Sequence, residues 1–163
     1  MLYFAYGSNL DPQELRRKCP HARMICVAAL REHTFDFWVA SRDSVGGEMD
    51  IHGKKGAKVW GVVYQIDELE LGRLDLGEGF DPGSPREIYE RIELLVYEQD
   101  RDKSPFTVWT YRGSKRAKHN RRNRPTGAYL KLVLAGARYW HLPAAYISSL
   151  EAVAAHRRRV KRP

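Results

Sequence analysis

Two short segments of this sequence combine residue types that could bind and activate a small polar molecule. The first is YGSNL at residues 6–10, where Gly7 ends an apolar run and the polar Ser8 and Asn9 follow. A glycine-containing turn that leads into a helix points several backbone N–H groups into one concavity, and the helix dipole adds partial positive charge. Such a cradle suits a carboxylate or a developing oxyanion. The alternative is a strand-to-helix turn in which Ser8 or Asn9 only satisfies backbone groups.

The second segment places Glu78 between Gly77 and Gly79, just past the expected end of a helix. The negative end of the helix dipole raises the cost of a carboxylate charge there, which favours a group that exchanges a proton. Glu78 is therefore a candidate general acid or base. The alternative is an exposed carboxylate in a turn, and the spacing alone leaves both interpretations open.

The elements that must position these segments can be predicted from residue patterns. Strands are predicted at 2–6, 24–30, 34–40, 59–64, 92–96 and 106–108. Helices are predicted after Asp11, after Asp67 with Gly77 and Gly79 as its stop, and over 130–137 and 146–154. Glycines at 46–47 and within 53–56 predict a mobile polar loop. Because helices and strands are partly segregated along the chain, the pattern indicates an α+β fold rather than a doubly wound sheet.

Further motifs join these two segments in one order along the chain. They are LYFAYGSNL at 2–10, VWGVVY at 59–64, LD at 74–75, EG at 78–79, YER at 89–91, PTGAY at 125–129, GA at 136–137 and LP at 142–143. Together they closely resemble the γ-glutamylcyclotransferase family, and the resemblance covers the chain from residue 2 to about residue 150. It implies one domain over residues 1–155, followed by a basic tail at 156–163. The implied fold is a small mixed β-barrel with flanking helices and an active site at one mouth.

The resemblance also implies a reaction, in which a γ-glutamyl amide releases its amine or amino acid and leaves 5-oxoproline. By this resemblance Glu78 is the catalytic acid/base. The substrate-binding residues that it implies are Tyr3, Tyr6, Gly7, Ser8, Asn9 and Tyr129. Tyr129 also begins an amphipathic helix, so packing with its hydroxyl at the rim is the alternative role for that side chain.

Such a reaction needs few protein groups, because the nucleophile is the substrate's own α-amine and the ring closes within one molecule. Glu78 can take a proton from the α-ammonium and return one to the leaving amine. Backbone N–H groups of the 7–9 turn can stabilise the oxyanion or fix the α-carboxylate, and the sequence does not decide between these roles. We expect no cofactor and no metal, since the histidines lack metal-ligand spacing. Cys19 and Cys26 fit no disulfide framework, which indicates reduced thiols and a cytoplasmic location.

Positive charge is concentrated in two parts of the chain. Of the 28 lysines and arginines among 163 residues, twelve lie in the acid-free segments 112–124 and 157–162. The rest of the chain has four more acidic than basic residues, which does not indicate a protein that coats nucleic acid with its whole surface. No apolar run of membrane-spanning length is present in the sequence. The sequence does not indicate an oligomeric state.

The two basic segments leave three interpretations open. In one, the protein is a cyclotransferase-like binding module that holds nucleic acid or another polyanion through these segments. In the second, they are a solvated loop and a frayed tail. In the third, the basic loop lies near the barrel mouth and selects an anionic or carrier-borne γ-glutamyl substrate, with Arg121, Arg122 and Arg124 acting on acidic substrates.

Overall fold

The computed structural model describes residues 1–41, 46–102, 105–117 and 123–160, with side chains in the last range described up to residue 153. Within these ranges the chain forms five strands and four α-helices. The strands are β1 (Leu2–Ala5), β2 (Arg23–Ala40), β3 (Gly47–Gln65), β4 (Tyr89–Glu98) and β5 (Phe106–Gly113). The helices are α1 (Pro12–Lys18), α2 (Glu68–Glu78), α3 (Gly127–Tyr139) and α4 (Ala144–Val160), and a 3-10 turn at Ser8–Leu10 follows β1.

The strands close into a barrel in the order β1-β3-β2-β4-β5. Four neighbouring pairs are antiparallel, and the barrel closes through a parallel pair between β1 and β5, where Tyr3 lies opposite Trp109. Apolar side chains that are fully buried, among them Phe4, Val63 and Val108, fill the interior. The predicted α+β class and small mixed β-barrel are therefore confirmed.

The long hairpin of β2 and β3 corrects the predicted loop at 53–56. Strand β3 pairs with β2 on both sides of this stretch, and residues 54–57 form a bulge opposite Glu32. The carboxylate of Glu32 accepts the N–H of Gly56 at 3.0 Å, and both residues have positive φ. The polar glycine-containing stretch is thus an insertion within one continuous strand rather than the end of it.

The ends of α1 and α2 follow the predicted caps, with one correction. The Asp11 carboxylate accepts the N–H of Gln13 at 2.9 Å, and that of Asp67 accepts a backbone N–H at the start of α2. Glu78 is the last residue of α2 instead of lying beyond it, because Gly79 alone adopts the left-handed C-cap conformation, with φ of +66°. Gly77 lies inside the helix and does not stop it.

Helix α3 packs directly on the 3-10 turn that follows β1. A Cβ atom built on Gly136 would lie 2.3 Å from the backbone of Leu10, so the two backbones touch. The indole N–H of Trp140 also donates to the carbonyl oxygen of Leu10 at 2.9 Å. The predicted helix at 130–137 is confirmed as part of α3, and its packing fixes the turn at the barrel mouth.

Helix α4 contains the predicted helical residues 146–154 and continues to Val160. Its backbone is therefore helical beyond residue 156, where the basic tail is predicted, and the division into domain and tail stays a prediction. Among the residues described, no helix combines the length and the apolar character that are needed to cross a membrane.

Candidate active site

A pocket at the barrel mouth brings together every residue that the sequence singled out for chemistry. The space between its walls, part of it open to solvent, is about 340 Å³. The predicted residues that line it are Tyr3, Tyr6, Gly7, Ser8, Asn9, Glu78 and Tyr129. The further lining residues, which the prediction did not include, are Glu48, Met49, Tyr89 and Tyr111.

Glu78 projects from the last turn of α2 and is held by two donors. Its Oε1 accepts a hydrogen bond from Asn9 Nδ2 at 2.8 Å and another from Lys18 Nζ at 2.9 Å. The side chain is 16% exposed, so the alternative of an exposed turn carboxylate is wrong. A carboxylate fixed in this way at a pocket wall can exchange a proton with a bound molecule.

The buried amide of Asn9 connects the turn to Glu78. Besides the bond to Glu78, its Nδ2 donates to the hydroxyl oxygen of Tyr3 at 2.8 Å, and its Oδ1 accepts from Lys18 Nζ at 3.0 Å. Since Asn9 is only 3% exposed, this network keeps a polar side chain satisfied inside the fold. Asn9 therefore orients Glu78.

The backbone of the 3-10 turn forms a further part of the pocket wall. The turn's own hydrogen bonds use the N–H groups of Leu10 and Asp11, which donate to the carbonyls of Gly7 and Ser8 at 3.0 Å each. The N–H groups of residues 7–9 take no part in these bonds, as is usual at the beginning of a helical turn. A Cβ atom on Gly7 would lie 3.2 Å from the Tyr129 hydroxyl, so glycine at this position lets that hydroxyl approach the turn closely.

Three of the pocket tyrosines direct their hydroxyl protons to protein acceptors. The O–H of Tyr6 donates to the carbonyl oxygen of Tyr111 at 2.6 Å, and that of Tyr89 donates to the carbonyl oxygen of Met49 at 2.9 Å. The O–H of Tyr111 donates to Asp75 Oδ1 at 2.6 Å. These hydroxyls are therefore engaged in holding the barrel mouth together.

Tyr3 and Tyr129 differ, because their hydroxyl oxygens act as acceptors. Tyr3 accepts from Asn9, and Tyr129 accepts from the backbone N–H of Met49 at 3.1 Å. Neither hydroxyl donates to another residue in the described part of the chain. Burial first, and then the nearby carboxylates, raise the pKa of both hydroxyls well above the ordinary tyrosine value. Both stay protonated at neutral pH and can donate to a ligand oxygen.

Comparisons with known proteins agree with this geometry. A family model described as the AIG2-like family matches residues 58–150, more than half of the chain. The human Gamma-glutamylcyclotransferase is 31% identical over 156 residues, which cover 93% of this chain and 78% of the human protein. The chain belongs to the γ-glutamylcyclotransferase family. The mouse protein of that name gives the same identity and coverage.

The fold of a solved structure from the γ-glutamylcyclotransferase family is also similar to that of the present chain. A chain described as a gamma-glutamyl cyclotransferase superposes with a TM-score of 0.82 at 31% identity. The match covers 93% of the present chain and 86% of that chain. The barrel and the helices around it are thus those of a γ-glutamylcyclotransferase, as the sequence motifs predict.

Sequence reasoning missed several residues that line the pocket or contact its lining side chains. Tyr89 belongs to a recognised motif, and its position two residues before Arg91 at the start of a strand was the available signal. Glu48 follows two glycines at the start of β3, and its charge contributes to the raised pKa values of Tyr89 and Tyr129. Lys18 carried no local signal, because its partners lie 9 and 60 residues away along the chain.

In the part of the chain that the structure describes, the remaining cysteine, histidine and carboxylate groups form neither a metal site nor a disulfide. Within the described residues, no cluster of three or more His, Cys, Asp or Glu side chains could hold a metal ion. Cys19 and Cys26 are both buried and unpaired with each other. Burial raises the pKa of each thiol to about 11, so both are protonated and weakly nucleophilic at neutral pH.

The basic segment 112–124 is partly neutralised within the folded chain. Arg112 pairs with Glu90 at 2.5 Å, and Arg116 pairs with Glu87 at 3.4 Å. The carbonyl oxygen of Arg124 accepts the N–H of Gly47 at 3.0 Å, beside the rim of the pocket. The predictions made for Lys118, Arg121 and Arg122, and for the side chains of 157–162, concern residues outside the described part of the structure.

The hydroxyl of Tyr129 allows a direct test of the pocket. We expect Tyr129→Phe to lower kcat/KM about tenfold to a hundredfold, because the pocket loses a buried hydroxyl that is able to donate to a ligand oxygen. It should also lower the free energy of unfolding by about 1–3 kcal/mol, since the Met49 N–H loses its acceptor. Tyr139→Phe on the same helix, at a side chain that is 60% exposed, is the matched control and should change neither quantity. Equal activity in the two variants would contradict a role for the Tyr129 hydroxyl.

Proposed function

We propose that this protein is an enzyme that converts a γ-glutamyl amide into 5-oxoproline and a free amine. The observation that carries the proposal is the position of Glu78, whose carboxylate is anchored by Asn9 and Lys18 on the wall of a small tyrosine-lined pocket. The described residues supply a proton acceptor, hydroxyl donors and a turn of backbone N–H groups within this one concavity. Membership of the γ-glutamylcyclotransferase family supports the same chemistry.

The reaction begins when Glu78 takes a proton from the substrate's α-ammonium. The freed α-amine attacks the γ-carbonyl carbon, a new C–N bond closes the five-membered ring, and the carbonyl oxygen gains negative charge. When this tetrahedral intermediate collapses, the original amide C–N bond breaks and Glu78 returns a proton to the leaving nitrogen. After the attack the ring nitrogen still carries an extra proton, which Glu78 takes in a second transfer and passes to the released amine. The α-nitrogen thus loses two protons on becoming the lactam N–H, the leaving nitrogen gains two on becoming an ammonium group, and charge balances.

Tyr3, Tyr129 and the backbone of the 3-10 turn are the groups proposed to bind the oxygens of the substrate. The two hydroxyls are protonated and accept rather than donate inside the protein, so their protons can be given to a carboxylate or an oxyanion. Donors that are already fixed by the fold need little reorganisation as the negative charge develops. The pocket therefore favours the bent conformer of the γ-glutamyl group and stabilises the charge formed on ring closure.

The proposal is tested with a panel of γ-glutamyl amino acids, γ-glutamyl amines and glutathione. The purified protein is incubated with each compound at neutral pH without added metal, and 5-oxoproline and the free amine are measured by liquid chromatography. We expect both products to appear in equal amounts from at least one compound. Release of glutamate in place of 5-oxoproline would indicate hydrolysis by water, and no product from any member would contradict the proposed reaction.

A further inference from the structure

Lys18 does not line the pocket itself, but it contacts two residues that do, and it takes part in no step of the proposed reaction. It is the last residue of α1, and its side chain is 19% exposed. Its ammonium lies 2.9 Å from Glu78 Oε1 and 3.0 Å from Asn9 Oδ1. Because Asn9 Nδ2 donates to the same Glu78 oxygen, the three side chains close a triangle of hydrogen bonds.

The path of the Lys18 side chain explains why residue 77 of the neighbouring helix α2 is a glycine. A Cβ atom built on Gly77 would lie 2.9 Å from Lys18 Cε and 3.0 Å from Lys18 Cδ. These distances are shorter than normal carbon–carbon contacts, so the stem of Lys18 runs directly across the backbone of Gly77. Gly72, one and a half turns earlier in α2, has no atom within 4 Å of such a Cβ. Gly77 is thus a close-approach site for Lys18.

Both hydrogen bonds to the Glu78 carboxylate end on one oxygen. Asn9 and Lys18 donate to Oε1, and no described residue donates to Oε2. A carboxylate that is anchored through one oxygen keeps a defined orientation and presents the other oxygen to a ligand. The electron pairs of Oε2 are then available to receive a proton in the pocket.

We propose that Lys18 is a positioning residue of the cyclotransferase reaction, and that Gly77 provides the space that its side chain needs. The proposal rests on the proposed function. The Lys18 ammonium fixes Oε1 of Glu78, so that Oε2 is the atom that takes and returns the proton. It also places a positive charge in direct contact with the carboxylate that accepts the proton in the first step of the reaction.

The other titratable groups around Glu78 do not replace this charge. They come from the end of α1, from α2 and α3, from four strands and from the residue after β1. They are Cys19, Asp75, Tyr129, Tyr3, Glu48, Tyr89, Tyr111 and Tyr6. The tyrosines and the cysteine are neutral at neutral pH, and the two other carboxylates are anionic or neutral. None of them can stabilise the ionised form of Glu78 as a cation does.

The test compares pH profiles of kcat/KM for variants of Lys18. In Lys18→Met the stem remains and the charge is lost, so we expect the acidic limb of the profile to move upward by about one pH unit or more. In Lys18→Arg the charge is kept, and the limb should stay at its wild-type position. Lys18→Gln, which keeps an N–H donor without the charge, is the second neutral variant and should move the limb as Lys18→Met does. A uniform fall in activity with an unmoved limb in the folded neutral variants would overturn the proposal.

Gly77→Ala tests the same contact without changing any charged residue. The added methyl group should displace the Lys18 side chain and move the acidic limb in the same direction as Lys18→Met, by a smaller amount. Gly72→Ala makes the same substitution on the same helix at an open position, and it should leave the profile unchanged. An unmoved limb in folded Gly77→Ala would overturn the role given to Gly77.

A measurement without turnover separates this proposal from the proposed function. The carboxyl carbon of Glu78 is followed by NMR during a pH titration of wild type and Lys18→Met. A higher titration midpoint in the variant supports the contact between Lys18 and Glu78, even if no member of the substrate panel is turned over. Equal midpoints, in a protein that does produce 5-oxoproline, would overturn the role of Lys18 and leave the proposed function standing.

Discussion

The Glu78→Gln variant is expected to fold like the wild type and to lose 5-oxoproline formation by roughly two to four orders of magnitude. A glutamine side chain has the shape of glutamate but accepts no proton at neutral pH, so the α-ammonium keeps its proton and cannot attack. Turnover of the best substrate of the panel, measured by chromatography of 5-oxoproline, checks the expectation. Turnover close to the wild-type value would contradict the role of Glu78 as acid/base.

The contacts of Glu78 explain why this loss of activity should not come from unfolding. The amide oxygen of a glutamine at position 78 can still accept from Asn9 Nδ2 and Lys18 Nζ. The Lys18 ammonium loses its counter-charge but retains Asn9 Oδ1 and some solvent, so we expect the free energy of unfolding to fall by only about 1–2 kcal/mol. Glu68→Gln, an exposed site in the first turn of the same helix, is the matched control and should keep both activity and stability.

Much of the site could be predicted from the sequence because its residues belong to local patterns. The turn at 6–10 is specified by a strand that ends in glycine, and Asp11 caps the next helix as its position predicts. Glu78 stood out because two glycines flank it near a helix end. Motifs of this kind are short and contiguous, so they can be read without knowledge of the tertiary contacts around them.

The partners of Glu78 could not be predicted, because tertiary packing alone brings them together. Lys18 ends a helix in a run of three basic residues, which by itself is typical of favourable helix-dipole interactions at a solvated surface. Its contact with Glu78 joins residues 60 positions apart. Likewise, the sequence pattern predicts that Gly77 and Gly79 together stop the helix. The fold separates them into a close-approach site and a left-handed cap.

The bulge of β3 shows a second limit of local patterns. Polar residues between glycines predict a loop, and the residues at 54–57 do leave the regular pairing. Whether a strand ends there or resumes depends on the partner strand, and β2 continues opposite β3 on both sides. Strand pairing is a non-local property, so the sequence predicted an interruption and missed that the hairpin continues through it.

The Gly136→Ala variant is expected to lower the free energy of unfolding by about 2–3 kcal/mol. The Cβ atom would lie 2.3 Å from the carbonyl carbon of Leu10 and 2.5 Å from the nitrogen of Asp11. Both are backbone atoms and cannot swing away as the end of a long side chain can, so α3 must move off the turn. Urea-induced unfolding followed by circular dichroism measures the difference.

Gly72→Ala is the matched control for Gly136→Ala, because both glycines lie within helices and differ in what surrounds the added methyl group. Alanine favours a helix over glycine by about 0.5–1 kcal/mol, so the open site should become more stable while the packed site becomes less stable. Moving α3 should also disturb Asn9, which precedes Leu10, and Gly136→Ala should therefore lose activity at temperatures where it is still folded. Equal stability of the two variants would contradict the close packing of α3 on the turn that carries Asn9.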